Sequence, residues 1–191
     1  ELRSKVSSFA AKYLQVPLIY VNQIGANDNL IFDGNSFILD KNGSKIKQLK
    51  SFSEDLSSWD IEQTKPQKNK FEKSEMSSIF DALVLGVRDY AQKCGFKTAL
   101  IGLSGGIDSA LVSAIATAAL GSNNIYCVSM PSKWSSSHSK SDAKDLARRL
   151  KINFNSIPIE NLMSSFEESF INTISFELSL IHISEPTRRE G

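Results

Sequence analysis

Apolar and polar residues follow two different periods along this chain, and the places where the period changes mark its elements. From Leu2 to Leu14, apolar side chains recur at Val6, Phe9, Ala10 and Tyr13, the spacing of one helical face, and Pro17 closes that helix. Short apolar runs at residues 18–21, 30–32 and 36–39 read as strands, with residues 45–49 returning from a turn at Asp40-Lys41-Asn42-Gly43. The Asn42-Gly43 pair fits a type I′ hairpin turn. Residues 51–73 are dominated by Ser, Asp, Glu, Lys and Gln and read as a linker, with Lys65, Lys68, Lys70 and Lys73 as a solvated face. Then Met76, Ile79, Phe80, Leu83, Val84, Val87, Tyr90 and Ala91 form a helical stripe, expected to pack in a core and stopped by Gly95. Beyond it the pattern alternates regularly. Strands at 98–103, 125–130 and 152–157 are separated by helices at 108–120 and 142–150 and followed by one at 160–170. That order predicts an α/β domain with a parallel sheet.

The junction between the first of those strands and its helix reads Gly102-Leu103-Ser104-Gly105-Gly106-Ile107-Asp108-Ser109. Adjacent glycines at such a turn let backbone N–H groups approach a ligand without a Cβ in the way. The new helix aims its partial positive end at the same spot, and Ser104 and Ser109 add hydroxyl donors, which together predict a phosphate cradle. No lysine follows the glycines, so this is not a Walker loop, and the spacing is not that of the dinucleotide fingerprint. Asp108 stands inside the helix start, where a carboxylate can hold Mg²⁺ beside phosphates.

Composition narrows the field further. The 191 residues are 41% hydrophobic and 23% charged, as in a water-soluble globular protein with room for a core. A net charge of +1 gives no electrostatic case for nucleic acid or a membrane surface as partner. Cys94 and Cys127 fit no zinc spacing and read as buried, reduced thiols of a cytoplasmic protein. His138, in a serine-rich stretch, reads as a loop histidine rather than a base. The opening Glu1-Leu2-Arg3 reads as a start in mid-sequence.

The glycine-rich octet resembles the pyrophosphate-binding loop of the ATP pyrophosphatases, which cleave ATP between its α and β phosphates and adenylate a substrate oxygen. Two further stretches resemble one branch of that group, the glutamine-dependent NAD synthetases. Met130-Pro131-Ser132-Lys133-Trp134-Ser135-Ser136 and Asp142-Ala143-Lys144-Asp145-Leu146-Ala147 look like its synthetase domain. The resemblance places adenosine of ATP at residues 130–133, with Met130 as a contact. Pro17-Leu18-Ile19-Tyr20-Val21-Asn22-Gln23-Ile24-Gly25 and Phe32-Asp33-Gly34-Asn35-Ser36-Phe37 look like the end of a nitrilase-type amidase domain. The implied layout is a C-terminal nitrilase remnant over residues 1–50, a linker over 51–74, and the first part of an ATP-pyrophosphatase domain (adenine nucleotide alpha hydrolase-like) over 75–178.

What the resemblance implies about chemistry is specific. The synthetase domain would use ATP and Mg²⁺ to adenylate nicotinic acid adenine dinucleotide, and ammonia, made from glutamine in the nitrilase domain, would displace AMP. A homo-oligomer is implied for the full-length protein. The family's Glu, Lys and Cys amidase set maps to no residue here, so no catalytic residue is assigned. Residues 179–191, which include His182, match nothing in the family pattern and resemble translated sequencing adaptor. The competing readings are another ATP pyrophosphatase, of the GMP synthetase or tRNA-thiolase type, and an inactive nucleotide-binding fragment.

Overall fold

The computed structural model describes residues 2–62 and 74–171. The linker lysines Lys65, Lys68, Lys70 and Lys73, and residues 179–191 with His182, lie outside the described residues. The elements run α1 (Leu2–Leu14), β1 (Leu18–Tyr20), β2 (Ile24–Asn27), β3 (Leu30–Asp33), β4 (Phe37–Leu39), β5 (Lys45–Gln48) and α2 (Glu75–Lys93). Then come β6 (Ala99–Gly102), α3 (Ile107–Leu120), β7 (Ile125–Ser129), α4 (Ser137–Leu150), β8 (Asn153–Ser156) and α5 (Glu160–Ile171). Among the described residues, no helix is long and apolar enough to cross a membrane. The chain divides into two compact units, Glu1–Ala99 with Val112–Ile125, and Leu100–Leu111 with Tyr126–Gly191.

The first unit is antiparallel. Strands order β1-β4-β5, with Tyr20 opposite Phe37 and their rings stacked at 5.0 Å. Phe37 and Leu39 are buried with Ala11 of α1, and Leu18 and Tyr20 pack against them. Each large apolar side chain taken out of water there contributes about 1.5–3 kcal/mol. The β4–β5 turn differs from the expected type I′ geometry, because the positive φ falls on Gly43 (73°) and not on Asn42. Asp40 sets this turn instead: its carboxylate accepts from the N–H groups of Asn42 at 2.9 Å and Ser44 at 2.8 Å.

Strand β2 escaped the sequence reading, since Ile-Gly-Ala-Asn has weak strand character. It pairs with β3 as a hairpin, Ala26 opposite Ile31, through a turn in which Asp28 has φ 50°. This hairpin packs on α2. Asp89 accepts the Ala26 N–H at 2.7 Å, and Lys93, one helical turn on, donates to the Ala26 carbonyl. Ser74 caps α2 by accepting from the Ser77 N–H at 3.2 Å. The apolar stripe of α2 was expected in a core, yet only Val84 and Ala91 of it are buried, joined by Leu85, while Met76, Ile79, Leu83 and Tyr90 are exposed. A two-stranded hairpin is too narrow to cover so wide a stripe. Cys94, expected to be buried, is exposed where it caps the end of this helix; Cys127 is buried as expected.

In the second unit the sheet order is β6-β7-β8, a parallel sheet, with Cys127 of β7 opposite Phe154 of β8. Leu103, Cys127, Ala143 and Ala147 are its most buried residues. Helix α4 packs on β8 and starts five residues earlier than its apolar pattern indicated. Ser136 caps it, taking the Ser139 N–H at 3.0 Å, so the serine-rich stretch is its first turn.

Arg3 of α1 forms an ion pair with Asp33 of β3, and Asn22 donates to the same carboxylate at 2.9 Å. Partial burial pushes the Asp33 carboxyl up, but the Arg3 hydrogen bond and charge outweigh it, and the carboxyl titrates below its ordinary value. A lowered carboxylate stabilises the fold fully above its unfolded-state value of about 3.9, and that stability is lost as pH falls through the lower folded-state value. Arg3→Ala should therefore lower the melting temperature by about 2–4 °C at pH 7, for a pair worth roughly 1 kcal/mol. Melting curves of both proteins against pH should converge in strong acid; a constant gap down to the acid limit would contradict this account.

Candidate functional site

The main chain of Ser139 limits the path of the loop between β6 and α3. Gly105 has φ 89°, and a Cβ built on it would meet the Ser139 main chain, its carbonyl oxygen closest, with the carbonyl carbon at 2.8 Å and Cα at 2.9 Å. Gly105 therefore serves the close approach of the loop to the first turn of α4, in addition to its left-handed conformation. Gly106 is different. Its φ is not in the left-handed region, and a Cβ there would meet only Ser104 Oγ, at 3.4 Å. Of the two glycines it is the one whose missing side chain leaves the outer face open.

The hydroxyls of Ser104 and Ser109 make hydrogen bonds within the loop. Ser104 Oγ accepts the Gly106 N–H at 3.2 Å and lies 3.1 Å from Ser109 Oγ. Ser109 Oγ accepts the Ser104 N–H at 3.3 Å and donates to the Gly106 carbonyl at 3.0 Å. The α3 amide of Ala110 reaches back to the Gly106 carbonyl at 3.1 Å. The amides of Ile107 and Asp108 precede that bond, at the positive end of the helix. Asp108 is an exposed carboxylate in this first turn, and Ile107 beside it is 80% exposed.

The loop borders two depressions. One, of about 220 Å³, is lined by Gly102, Leu103 and Ser104 on the loop side and by Met130, Pro131 and Ser139 opposite. A Cβ on Gly102 would lie 3.6 Å from the Met130 methyl, so Gly102 and Met130 face each other across it. Its volume is below the roughly 300–1,000 Å³ usual for small-molecule sites, enough for part of a nucleotide. The other, of about 400 Å³, is lined by Gly105, Gly106, Ile107 and Ala110 and by Asp142 and Arg149 of α4. The structure thus brings Gly102, Leu103, Ser104 and Met130 together, sets Gly105, Gly106 and Ile107 on the second depression, and leaves Asp108 and Ser109 in the first helical turn between.

Ser139, Lys140 and Arg149 were missed by the sequence reading. The cap at Ser136 was the available signal, since it starts α4 early enough to bring Ser139 to the loop. His138 lies in that same first turn, exposed, its carbonyl accepting from Ser141 at 2.8 Å. Among the described residues, no three His, Cys, Asp or Glu side chains are grouped to hold a metal. A cation here would rely on one carboxylate, phosphate oxygens and water, the coordination Mg²⁺ favours.

Comparison with known proteins adds independent information. The family model described as NAD synthase matches residues 79–182. The chain is 46% identical over 175 residues to the glutamine-dependent NAD(+) synthetase of Synechocystis sp., covering 89% of this chain and 31% of that protein. It is 37% identical over 181 residues to that of Rhodobacter capsulatus, covering 92% and 33%. Its structure is similar to that of glutamine-dependent NAD+ synthetase from Acinetobacter baumannii in complex with ADP, with a TM-score of 0.85 and 35% identity over 95% of this chain and 35% of that one. The chain therefore spans about a third of the length of these relatives.

The two glycines should respond differently to a methyl group. Gly105→Ala should destabilise by about 2 kcal/mol or more, through strain and collision, and Gly106→Ala by less than about 1 kcal/mol. Urea midpoints at unchanged slope measure both; equal losses would show that Ser139 does not constrain the loop.

Proposed function

The chain belongs to the NAD synthase family, and from that premise we propose that residues 102–109 bind the phosphates of ATP for amidation of nicotinic acid adenine dinucleotide to NAD+. The observation that carries this reading is the loop itself: a strand-to-helix turn held shut by its own serines, with Gly106 bare and the Ile107 and Asp108 amides at the positive end of α3. The depression between Gly102 and Met130 would take part of the adenosine, and the complex of the Acinetobacter baumannii relative with ADP supports nucleotide binding by this family.

In the complete enzyme a carboxylate oxygen of the dinucleotide would attack the α-phosphorus of ATP, and pyrophosphate would leave. Ammonia from glutamine would then attack the carbonyl carbon and expel AMP. Backbone dipoles at α3 would stabilise the charge that builds on the phosphates. Asp108 would hold Mg²⁺, which supplies further positive charge to those oxygens. The proposed layout keeps residues 1–50 as the end of a nitrilase-type module, 75–178 as synthetase and 179–191 outside both. A cytoplasmic homo-oligomer without nucleic-acid or membrane partners completes the proposal.

Calorimetry of this chain with ATP tests the reading. Binding that is lost in Gly106→Val while the melting temperature holds is the expected result; binding that survives would remove the loop from the site. Asp108→Asn separates metal from helix-end roles. Loss of a first-turn carboxylate costs at most about 1 kcal/mol of stability. ATP–pyrophosphate exchange by the complete enzyme should fall by roughly a hundredfold or more if the carboxylate serves the phosphates. Exchange that persists alongside lowered stability would reduce Asp108 to a helix-end charge.

A further inference from the structure

The two depressions beside the loop of residues 102–109 each contain one basic side chain of α4, Lys140 in the smaller and Arg149 in the larger. Loop, depressions and α4 all belong to the second unit. The two cations differ in what they face. Arg149 lies 3.8 Å from Asp145, and Asp142 and Asp145 line its depression, so its charge is offset on the spot. Lys140 shares its depression with Gly102, Ser104, Met130 and Ser139, and no acidic residue lines it. Lys140 forms no ion pair among the described residues, whereas Lys133, on the same β7–α4 connection, reaches Glu167 at 3.8 Å. The helix does not account for this charge either. Lys140 stands in the first turn of α4, which holds no acidic residue, and a cation there opposes the helix dipole. It directly follows Ser139, whose carbonyl oxygen is the atom nearest the Cβ that Gly105 lacks. Lys140 is thus rooted where the smaller depression meets the loop.

We propose that Lys140 binds the α-phosphate of an adenine nucleotide whose adenosine occupies the smaller depression. The proposal rests on the reading of that depression and the adjoining loop as the ATP site. With adenosine against Met130 and the outer phosphates at Gly106, the phosphate joined to the ribose lies between them, at the root of Lys140. An ammonium on a flexible four-carbon stem meets a phosphate as a point charge and needs no fixed fork geometry. It adds a full charge to a loop whose own contribution is the partial charge of peptide dipoles. Adenylation takes place at the α-phosphorus, and a cation on its oxygens offsets the charge that repels an incoming carboxylate.

The test measures the affinity of the 191-residue chain for ATP, AMP and adenosine, by calorimetry for ATP and ligand-detected NMR for the other two. Lys140→Met and Lys140→Arg are compared with Lys151→Asn, which removes the same charge at the far end of α4, where the left-handed backbone (φ 56°) suits asparagine. Lys140→Met should weaken ATP and AMP alike, by about fivefold, and leave adenosine unchanged. Lys140→Arg should restore most of the loss, and the loss should shrink as salt is raised. The melting temperature of Lys140→Met should hold or rise, since the charge removed opposed the helix dipole. Unchanged ATP and AMP affinity in Lys140→Met overturns the proposal and leaves the loop reading standing. A loss confined to ATP overturns it as well, because the cation then serves the outer phosphates. So does a loss shared by adenosine or matched by Lys151→Asn, which marks a general effect of packing or charge. Should the unsubstituted chain bind neither ATP nor AMP, the loop reading fails first and this proposal falls with it.

Discussion

The main chain of Ser139 occupies the space a side chain at position 105 would need, and the second unit is arranged around that exclusion. Because the loop must pass so close to α4, its own polar groups have to be satisfied within a tight turn. Ser104 and Ser109 do this, each accepting a loop N–H. What remains at the outer face is backbone: the bare Cα of Gly106 and the first amides of α3. The depression against Met130 on one flank and that against Arg149 on the other follow from the same close passage.

In the proposed function, a loop built this way would attract anions without a basic side chain of its own. None of residues 102–109 is basic, and the chain as a whole carries a net charge of +1. The attraction would come from oriented peptide dipoles, which need no reorganisation when charge develops nearby. The one acidic group, Asp108, stands where the helix dipole favours a carboxylate. In the proposed function, a divalent cation between an anionic ligand and this carboxylate would offset their repulsion.

Much of this was legible in the sequence, and the exceptions have physical causes. The period-switching pattern identified α1, the parallel β6-β7-β8 sheet and the strand-loop-helix junction, because each rests on a strong local signal. Strand β2 was not legible, since Gly25, Ala26 and Asn27 form a strand only by pairing with β3 and being held by α2. The start of α4 was hidden for a related reason: serines stabilise a helix end through hydrogen bonds that no hydrophobic period records. At the site, the glycines and Asp108 were readable as a motif. The division of labour between Gly105 and Gly106 was not, because it depends on Ser139, thirty-four residues further along the chain.

The hairpin of β2 and β3 has one more property. A lone two-stranded sheet ordinarily offers its outer rim to any passing extended segment, of its own chain or another. At Ala26 that invitation is withdrawn, since its amide hydrogen is spent on Asp89 and its oxygen on Lys93. An incoming strand would find no complementary partner at the middle of that rim and could not continue its ladder past it. Two side chains on neighbouring turns of a helix thus guard the protein against pairing with its own kind, as an edge proline or an inward-pointing charge does elsewhere.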